Sequence, residues 1–307
     1  MRVVFLGNDA RSVPALEAVA ASRHDLAAVI TRRPRPAGRG GSLQPTPVAE
    51  AARRRGLPLG ETATVREGEG LERLRRAAPD LLAVVAYGEI LPPEVLQAPR
   101  VAPVNVHFSL LPALRGADPV RRAILAGLEV TGVTTIRMDE GLDTGPVLLQ
   151  SEEPIREEDD AGALGARLAD LGGRLLVDTL DGLERGDLPE RPQDEDRATS
   201  APRLRPEEEW IEWSAPALTV WRQVRALAPE PGARTRFRGG DLKVLRVRPV
   251  EAGGPAGSVF EWSKDRLVVA CGKGAVAIDE VVPAGRKPMS GPEFARGRRP
   301  EIGELLG

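Results

Sequence analysis

With a single cysteine, Cys271, the 307-residue chain can form no disulfide within itself and cannot build a zinc site from several thiolates. Its only histidines are His24 and His107, too few for a histidine-rich metal centre, so no metal is expected. No apolar run reaches the ~18–20 residues that a membrane-crossing helix needs. The opening run Met1–Leu6 stops at Gly7 without the charged, apolar and small-residue zones of a signal peptide, and reads as a first strand. Cytoplasm is the expected location and no membrane the expected partner. Gly7-Asn8-Asp9 makes no G-x-G-x-x-G turn and the chain has no P-loop, which points away from dehydrogenases and kinases. Lysine occurs only at 243, 264, 273 and 287, asparagine only at 8 and 105, and tyrosine only at 87. Against that background Asn105 and His107, two positions apart, stand out.

What is present is ordinary globular material. Apolar residues make up 41% of the chain, enough for buried cores, and charged residues 29%. The net charge of −2 argues against a general nucleic-acid binder, although the part beyond Arg203 is basic in excess and the part before it acidic.

Strand and helix signals alternate through the first ~180 residues, a length that suits one domain. Arg2–Gly7, Leu26–Thr31, Asp80–Ala86, Val101–Phe108 and Gly132–Met138 read as strands. Val13–Ala21, Pro47–Arg55, Ala117–Ala126 and Gly162–Leu183 read as helices, the first with Ser12 as N-cap and Pro14 in its first turn. Such alternation predicts an α/β fold, Rossmann-like, with a mainly parallel sheet and its functional loops at the C-terminal strand edge. The polar, proline-containing stretch 187–205 reads as a linker after a domain spanning 1–186. Beyond it, five short strand signals between Thr235 and Val282, with one helix at Leu218–Ala226, predict a small OB-like β-barrel domain over 206–307.

The chemistry-bearing candidates are Asn105, His107 and Asp143. Residues two apart on a strand project to one face, so Asn105 and His107 would enter a cleft together, and Asp143 of the next loop could approach the imidazole. An amide donor can stabilise a developing oxyanion by ~3 kcal/mol in a dry site, and an imidazole beside a carboxylate can donate to that oxyanion or move protons between the amine and the leaving nitrogen. That trio suits acyl-type transfer to an amine, with no covalent nucleophile. Taken singly, each also has a structural reading: a satisfied histidine at a strand end, or an aspartate that merely forms a turn.

Three segments occur in order: Asn105-Val-His-Phe-Ser-Leu-Leu-Pro112, Arg115-Gly-Ala-Asp-Pro-Val120 and Met138-Asp-Glu-Gly-Leu-Asp-Thr-Gly145. Together they resemble the signature of the 10-formyltetrahydrofolate-dependent formyltransferases. The resemblance implies Asn105, His107 and Asp143 as catalytic residues and 10-formyltetrahydrofolate as co-substrate. Ala86–Pro92 is similar to that family's folate-pocket strip. Tyr87, Gly88, Glu89, Ile90 and Leu91, together with Ser109, Leu110, Leu111 and Pro112, are then the expected folate contacts, largely through main-chain groups. A plain strand-to-helix turn hinged at Gly88 would explain the first strip equally well.

Within that family, three features resemble the branch that acts on methionyl-tRNA. The segment Thr31–Gln44 carries Arg32, Arg33, Arg35 and Arg39 and no acid, which suits phosphates of an acceptor stem, although incidental surface arginines would look the same. The stretch Arg222–Arg248 carries eight basic residues against Glu230 and Asp241, an electrostatic footprint for RNA or an ordinary solvated strand face. The tail Pro283–Ser290, with Glu293-Phe294 and Arg296–Arg299, is similar to the end of that branch. The implied partner is initiator methionyl-tRNA, with no obligate protein partner. Amino-sugar nucleotide formylation and a non-catalytic RNA-binding role are the alternatives. Four places depart from the pattern: Asn8-Asp9, Phe108, Gly41-Ser42 and Ala228–Gly232. Phe108 is expected to reshape the pocket beside His107, and the last two to alter tRNA contacts.

Overall fold

Runs of branched apolar residues buried on both faces build the first sheet. The computed structural model describes residues 1–37 and 41–307. Its strands are β1 (Arg2–Gly7), β2 (Asp25–Arg32), a hairpin of β3 (Arg35–Ala37) and β4 (Ser42–Gln44), β5 (Leu59–Thr62), β6 (Leu81–Val85), β7 (Ala102–His107), β8 (Val130–Arg137) and β9 (Val147–Pro154). The helices are α1 (Val13–Ala21), α2 (Pro47–Arg54), α3 (Gly68–Ala77), α4 (Pro93–Leu96), α5 (Pro119–Ala126) and α6 (Ala161–Arg185). Strand order is β5-β2-β1-β6-β7-β8-β9. The first five strands run parallel, and β8 and β9 are antiparallel additions. The chain leaves β1 toward β2 and β5 on one side, then crosses from β5 to β6 on the other side of β1, so strand order switches there and a crevice opens at the C-terminal edge.

β5, α3, β9 and the β3–β4 hairpin carry no clear sequence signal. β9 alternates buried and exposed residues as an edge strand, and its polar half, Gln150–Pro154, hides it from an apolar-run reading. Ser12 does not cap α1. A 3-10 turn, Ala10–Ser12, precedes that helix and is capped by the Asp9 side chain. Ser12 is therefore already helical, and its hydroxyl donates to the Val85 carbonyl at 2.7 Å.

The chain divides into two compact units. One holds Met1–Pro119, Val130–Pro154 and Gly165–Pro202; the other holds Val120–Glu129, Ile155–Leu164 and Arg203–Gly307. This differs from the expected division. Residues 187–202 are part of the first unit, where they pair with its loops. Two segments expected in the first domain belong to the second unit, tied there by Arg122 to Glu208 at 2.7 Å and by Arg225 to the Asp159 carbonyl at 2.6 Å.

The second unit has an antiparallel sheet in the order β10 (Ala233–Phe237), β11 (Gly240–Val250), β14 (Ala275–Pro283), β13 (Leu267–Ala270), β12 (Val259–Trp262). A short strand β15 (Met289–Ser290) pairs with β14, and helices α7 (Ala217–Leu227) and α8 (Gly291–Arg298) complete the unit. The segment 304–307 bonds to Val259 and Gly257 on one side and to Arg236 on the other. It therefore spans the two edge strands, β12 and β10, and gives the sheet a barrel-like closure. Trp213, Val220, Val224, Val244, Val276 and Phe294 fill the core. Among the described residues no helix is long and apolar enough to cross a membrane.

Candidate active site

Asn105 and His107 occupy alternate positions at the end of β7, so both side chains leave the same face. They meet one carboxylate. Asn105 Nδ2 donates to Asp143 Oδ1 at 3.2 Å, and His107 Nδ1 lies 3.5 Å from Asp143 Oδ2. Oδ2 also accepts from the Gly116 main-chain N–H at 2.8 Å. His107 Nε2 is 2.9 Å from the Leu114 carbonyl oxygen. A carbonyl only accepts, so by hydrogen-bond logic Nε2 carries the ring proton and Nδ1 turns toward Asp143. A proton shared between Nδ1 and Oδ2 would make that contact an ion pair. The Asn105 amide has two hydrogens; Asp143 takes one, and the second is available to a ligand oxygen.

Two residues of this site hold backbone conformations that L side chains disfavour: Leu114 at φ 62° and Asp143 at φ 56°. Each costs about 1–2 kcal/mol, so neighbouring bonds must hold it. Those bonds come from 193–201, the stretch that reads as a linker. Gln193 Nε2 donates to the carbonyls of Asp143 and Gly145, both at 2.7 Å. Gln193 Oε1 accepts from Arg115 Nε at 3.0 Å, and Arg115 also grips Glu195 at 2.7 Å. Thr199 Oγ1 accepts from Leu114 N–H at 2.9 Å. A side chain at Gly116, φ 123°, would put its Cβ 2.8 Å from the Ala201 carbonyl, so only glycine brings that N–H to Asp143. Gln193 and Thr199 lie in a polar stretch without periodicity, and nothing local in the sequence marks them.

The expected folate strips follow β6 and β7, neighbouring strands, so they adjoin the same crevice edge. Their side chains divide. Tyr87 is 1% exposed and packs in the core with Leu82, Leu91 and Val95, which takes its ring away from any cleft ligand. Burial pushes its phenol upward. The Ser109 hydroxyl is buried on the Ala113 carbonyl at 2.6 Å, and Leu111 packs on Ile136 and Val147. Leu110 packs against Gly132 of β8, and Pro112 is half-buried. The surface left to a ligand is main chain at Gly88, φ 75°, with Glu89 and the 75%-exposed Ile90. A groove of about 970 Å³ runs beside it, lined by Thr64, Arg66, Leu71, Gly88, Glu89 and Ile90.

The arginines expected to meet tRNA also divide. Arg32 donates to the Gly88 carbonyl at 2.9 Å and to Glu89 at 3.2 Å. Arg33 pairs with Glu69 at 2.9 Å. Both guanidiniums are therefore engaged by the chain itself. Arg35 is exposed on β3, and Arg39 lies outside the described residues. In the second unit the arginines of 234–248 are matched by acids: Arg234 and Arg236 by Asp241, Arg238 by Glu304, Arg246 by Glu280 and Arg248 by Asp279. That stretch is an alternating surface rather than a uniformly basic one. Phe108 does not reshape the pocket. Its ring points to the opposite face from His107, where α6 offers Gly172 and the Arg11 guanidinium sits 5.9 Å from the ring centroid. Among the described residues, the grouped metal-type donors are His24, Asp181 and Glu184. They lie at the far, N-terminal strand edge, with both acids already held by Arg23.

An amide donor, an imidazole and a carboxylate gathered at the open edge of a doubly wound sheet are groups that can support acyl-type transfer. Residues 1–180 match the formyl transferase family, residues 203–299 match the formyl transferase C-terminal domain, and the chain belongs to the formyl transferase family. It is 47% identical to the methionyl-tRNA formyltransferase of Streptomyces griseus, with 100% of both chains covered. It is 44% identical to that of Acidithiobacillus ferrooxidans, covering 100% of this chain and 98% of the relative. Among solved structures, HypX from Aquifex aeolicus in complex with tetrahydrofolic acid superposes with a TM-score of 0.66 at 20% identity, over 96% of this chain and 47% of HypX. The N-formyltransferase from Helicobacter canadensis, in complex with folinic acid and dTDP-3-aminofucose, gives 0.64 at 16% identity, over 91% and 98%. Both likenesses are of fold.

Proposed function

We propose that this chain transfers a formyl group from 10-formyltetrahydrofolate to the amino group of initiator methionyl-tRNA. The observation that carries the chemistry is the convergence of Asn105 and His107 on the two oxygens of Asp143. The acceptor follows from full-length relatives at 44–47% identity that bear the methionyl-tRNA name. The co-substrate supplies the formyl group. Main chain at Gly88 and the solvent-facing Ile90 beside an open groove suit a flat ring system, held by backbone groups on one edge and an apolar face on the other.

The free hydrogen of the Asn105 amide meets the charge developing on the formyl oxygen. As the amine nitrogen bonds to the formyl carbon, the Asp143 carboxylate takes the amine proton, with His107 Nδ1 behind it as the next acceptor; the bond from the formyl carbon to the folate nitrogen then breaks, and that nitrogen leaves with the same proton returned to it. Burial of His107 keeps this proton path away from bulk water. Much of the rate comes from holding two large substrates in line. Arg35 and Arg39 remain the tRNA contacts of the Thr31–Gln44 segment, and Arg32 and Arg33 act through its anchoring. A cytoplasmic location accords with this role, and the reaction needs no protein partner.

The test is formyl transfer to initiator methionyl-tRNA, with elongator methionyl-tRNA as the control. Asn105→Ala, His107→Ala and Asp143→Ala should each depress turnover with little change in tRNA affinity. Transfer to an amino-sugar nucleotide instead would move the acceptor. Wild-type rates in all three variants would refute the site.

A further inference from the structure

Asn8 sits where β1 ends, at the switch between β2 and β6. Its Oδ1 accepts from the Arg32 N–H at 2.8 Å and from Thr31 Oγ1 at 2.9 Å, while its Nδ2 donates to the Tyr87 carbonyl. Thr31 Oγ1 is 2.7 Å from Thr46 Oγ1, and Thr46 Oγ1 accepts from the Ala49 N–H at the start of α2. Because Thr31 gives its hydrogen to Asn8, Thr46 must donate to Thr31. The bonds then run in one direction, from Ala49 through Thr46 and Thr31 to Asn8, and chains of that kind reinforce one another. One amide therefore holds both ends of the arginine-bearing segment and the start of the 87–91 strip. A second tie runs beside it. Arg32 bonds to the Gly88 carbonyl and to Glu89, whose other oxygen is held by Thr64 at 2.7 Å. Arg32 and Glu89 are both largely shielded, with side chains 24% and 13% exposed.

We infer that Asn8 and Arg32 form a latch that couples the two substrate sites. Occupancy along Gly88–Ile90 orders the carbonyl and carboxylate that hold Arg32, and the Asn8 chain carries that order to both ends of the segment that meets the tRNA. The acceptor end then binds more tightly to the folate-loaded protein, and by linkage folate binds more tightly to the tRNA-loaded one by the same factor. Asn8 and Arg32 act here as positioning residues and touch no reacting atom. The inference rests on the assignment of folate to the 87–91 strip and of tRNA to the Thr31–Gln44 segment.

The experiment measures the Kd of initiator methionyl-tRNA for the full chain with and without saturating tetrahydrofolate, which permits no turnover. Wild type should bind at least about fivefold tighter with tetrahydrofolate, the lower end of ordinary coupling. Asn8→Ala and Arg32→Ala should each bring that ratio close to one. Glu89→Gln, which keeps the bond to Thr64 but weakens the hold on Arg32, should give an intermediate ratio. If Asn8→Ala does not fold, Arg32→Ala carries the test. A wild-type ratio of one, or an undiminished ratio in Arg32→Ala, overturns the latch while leaving the reaction in place. Failure of the wild type to bind either ligand overturns the functional assignment and the latch with it.

Discussion

Replacing Gln193 by leucine removes a clamp on the Asp143 main chain while leaving the side chains of the three site residues unchanged. Two neutral bonds, to the carbonyls of Asp143 and Gly145, are lost, and Arg115 loses an acceptor. At about 1 kcal/mol each, the two carbonyl bonds contribute roughly 2 kcal/mol. The left-handed backbone of Asp143 costs about 1–2 kcal/mol, so the clamp is of the size needed to hold it. Without it, Asp143 keeps its side-chain bonds to Asn105 and Gly116 and its contact with His107, but nothing among the described residues holds its carbonyl, and its loop can relax toward an extended conformation. A loss of about 2 kcal/mol in the competent arrangement is about a 30-fold fall in single-turnover rate at saturating substrates. The tRNA Kd should stay near wild type, since Gln193 touches nothing assigned to tRNA. Gln193→Glu should fall as far, because a carboxylate keeps Arg115 but cannot donate to the two carbonyls. Rapid-quench formyl transfer with filter binding in parallel gives both numbers, and urea denaturation shows whether the clamp was lost. A Gln193→Leu protein that has lost stability yet transfers formyl groups at nearly the wild-type rate would refute the argument that Asp143 must be held in place.

Three further outcomes follow from other parts of the molecule. Hydrogen bonds from Arg122, and then from the Arg205 main chain, hold the Glu208 carboxyl down at about 2. The stabilisation by that pair should be fully present above the ordinary value of 4.5 and be lost as pH falls toward about 2, so the Tm difference between wild type and Glu208→Gln should shrink across that window. Burial pushes the Cys271 thiol up to about 11, so a thiol reagent at pH 8 should label it only after unfolding; rapid labelling of the native protein would show an open second unit. Phe108→Ala should cost about 3–5 kcal/mol in denaturant unfolding by emptying the space beside Gly172, while turnover stays near wild type. A large loss of turnover in the folded variant would mean that the ring acts on the His107 face after all.

The alternation of short apolar runs and helical stretches was enough to lay out the parallel sheet, and the two-residue spacing of Asn105 and His107 was enough to put them on one face. Both are short-range properties, set by strand pleat and helix period within a few residues. The arrival of Asp143 between them, 38 positions from Asn105, required the order of β7 and β8. The clamp that holds it spans 50 positions and comes from a stretch whose polarity and proline read as a linker. Tyr87 and Phe108 look like pocket residues in sequence but pack into buried layers of the fold, and only the packing of helices against the sheet decides that. In the same way Arg32 and Arg33 look free until the chain brings Glu89 and Glu69 against them. Residue type and spacing determined which chemistry this protein carries, because reactivity is a property of the side chains themselves. Tertiary structure decided which of those side chains are available to a ligand, because each donor or acceptor paired within the chain leaves its side chain fewer bonds to offer.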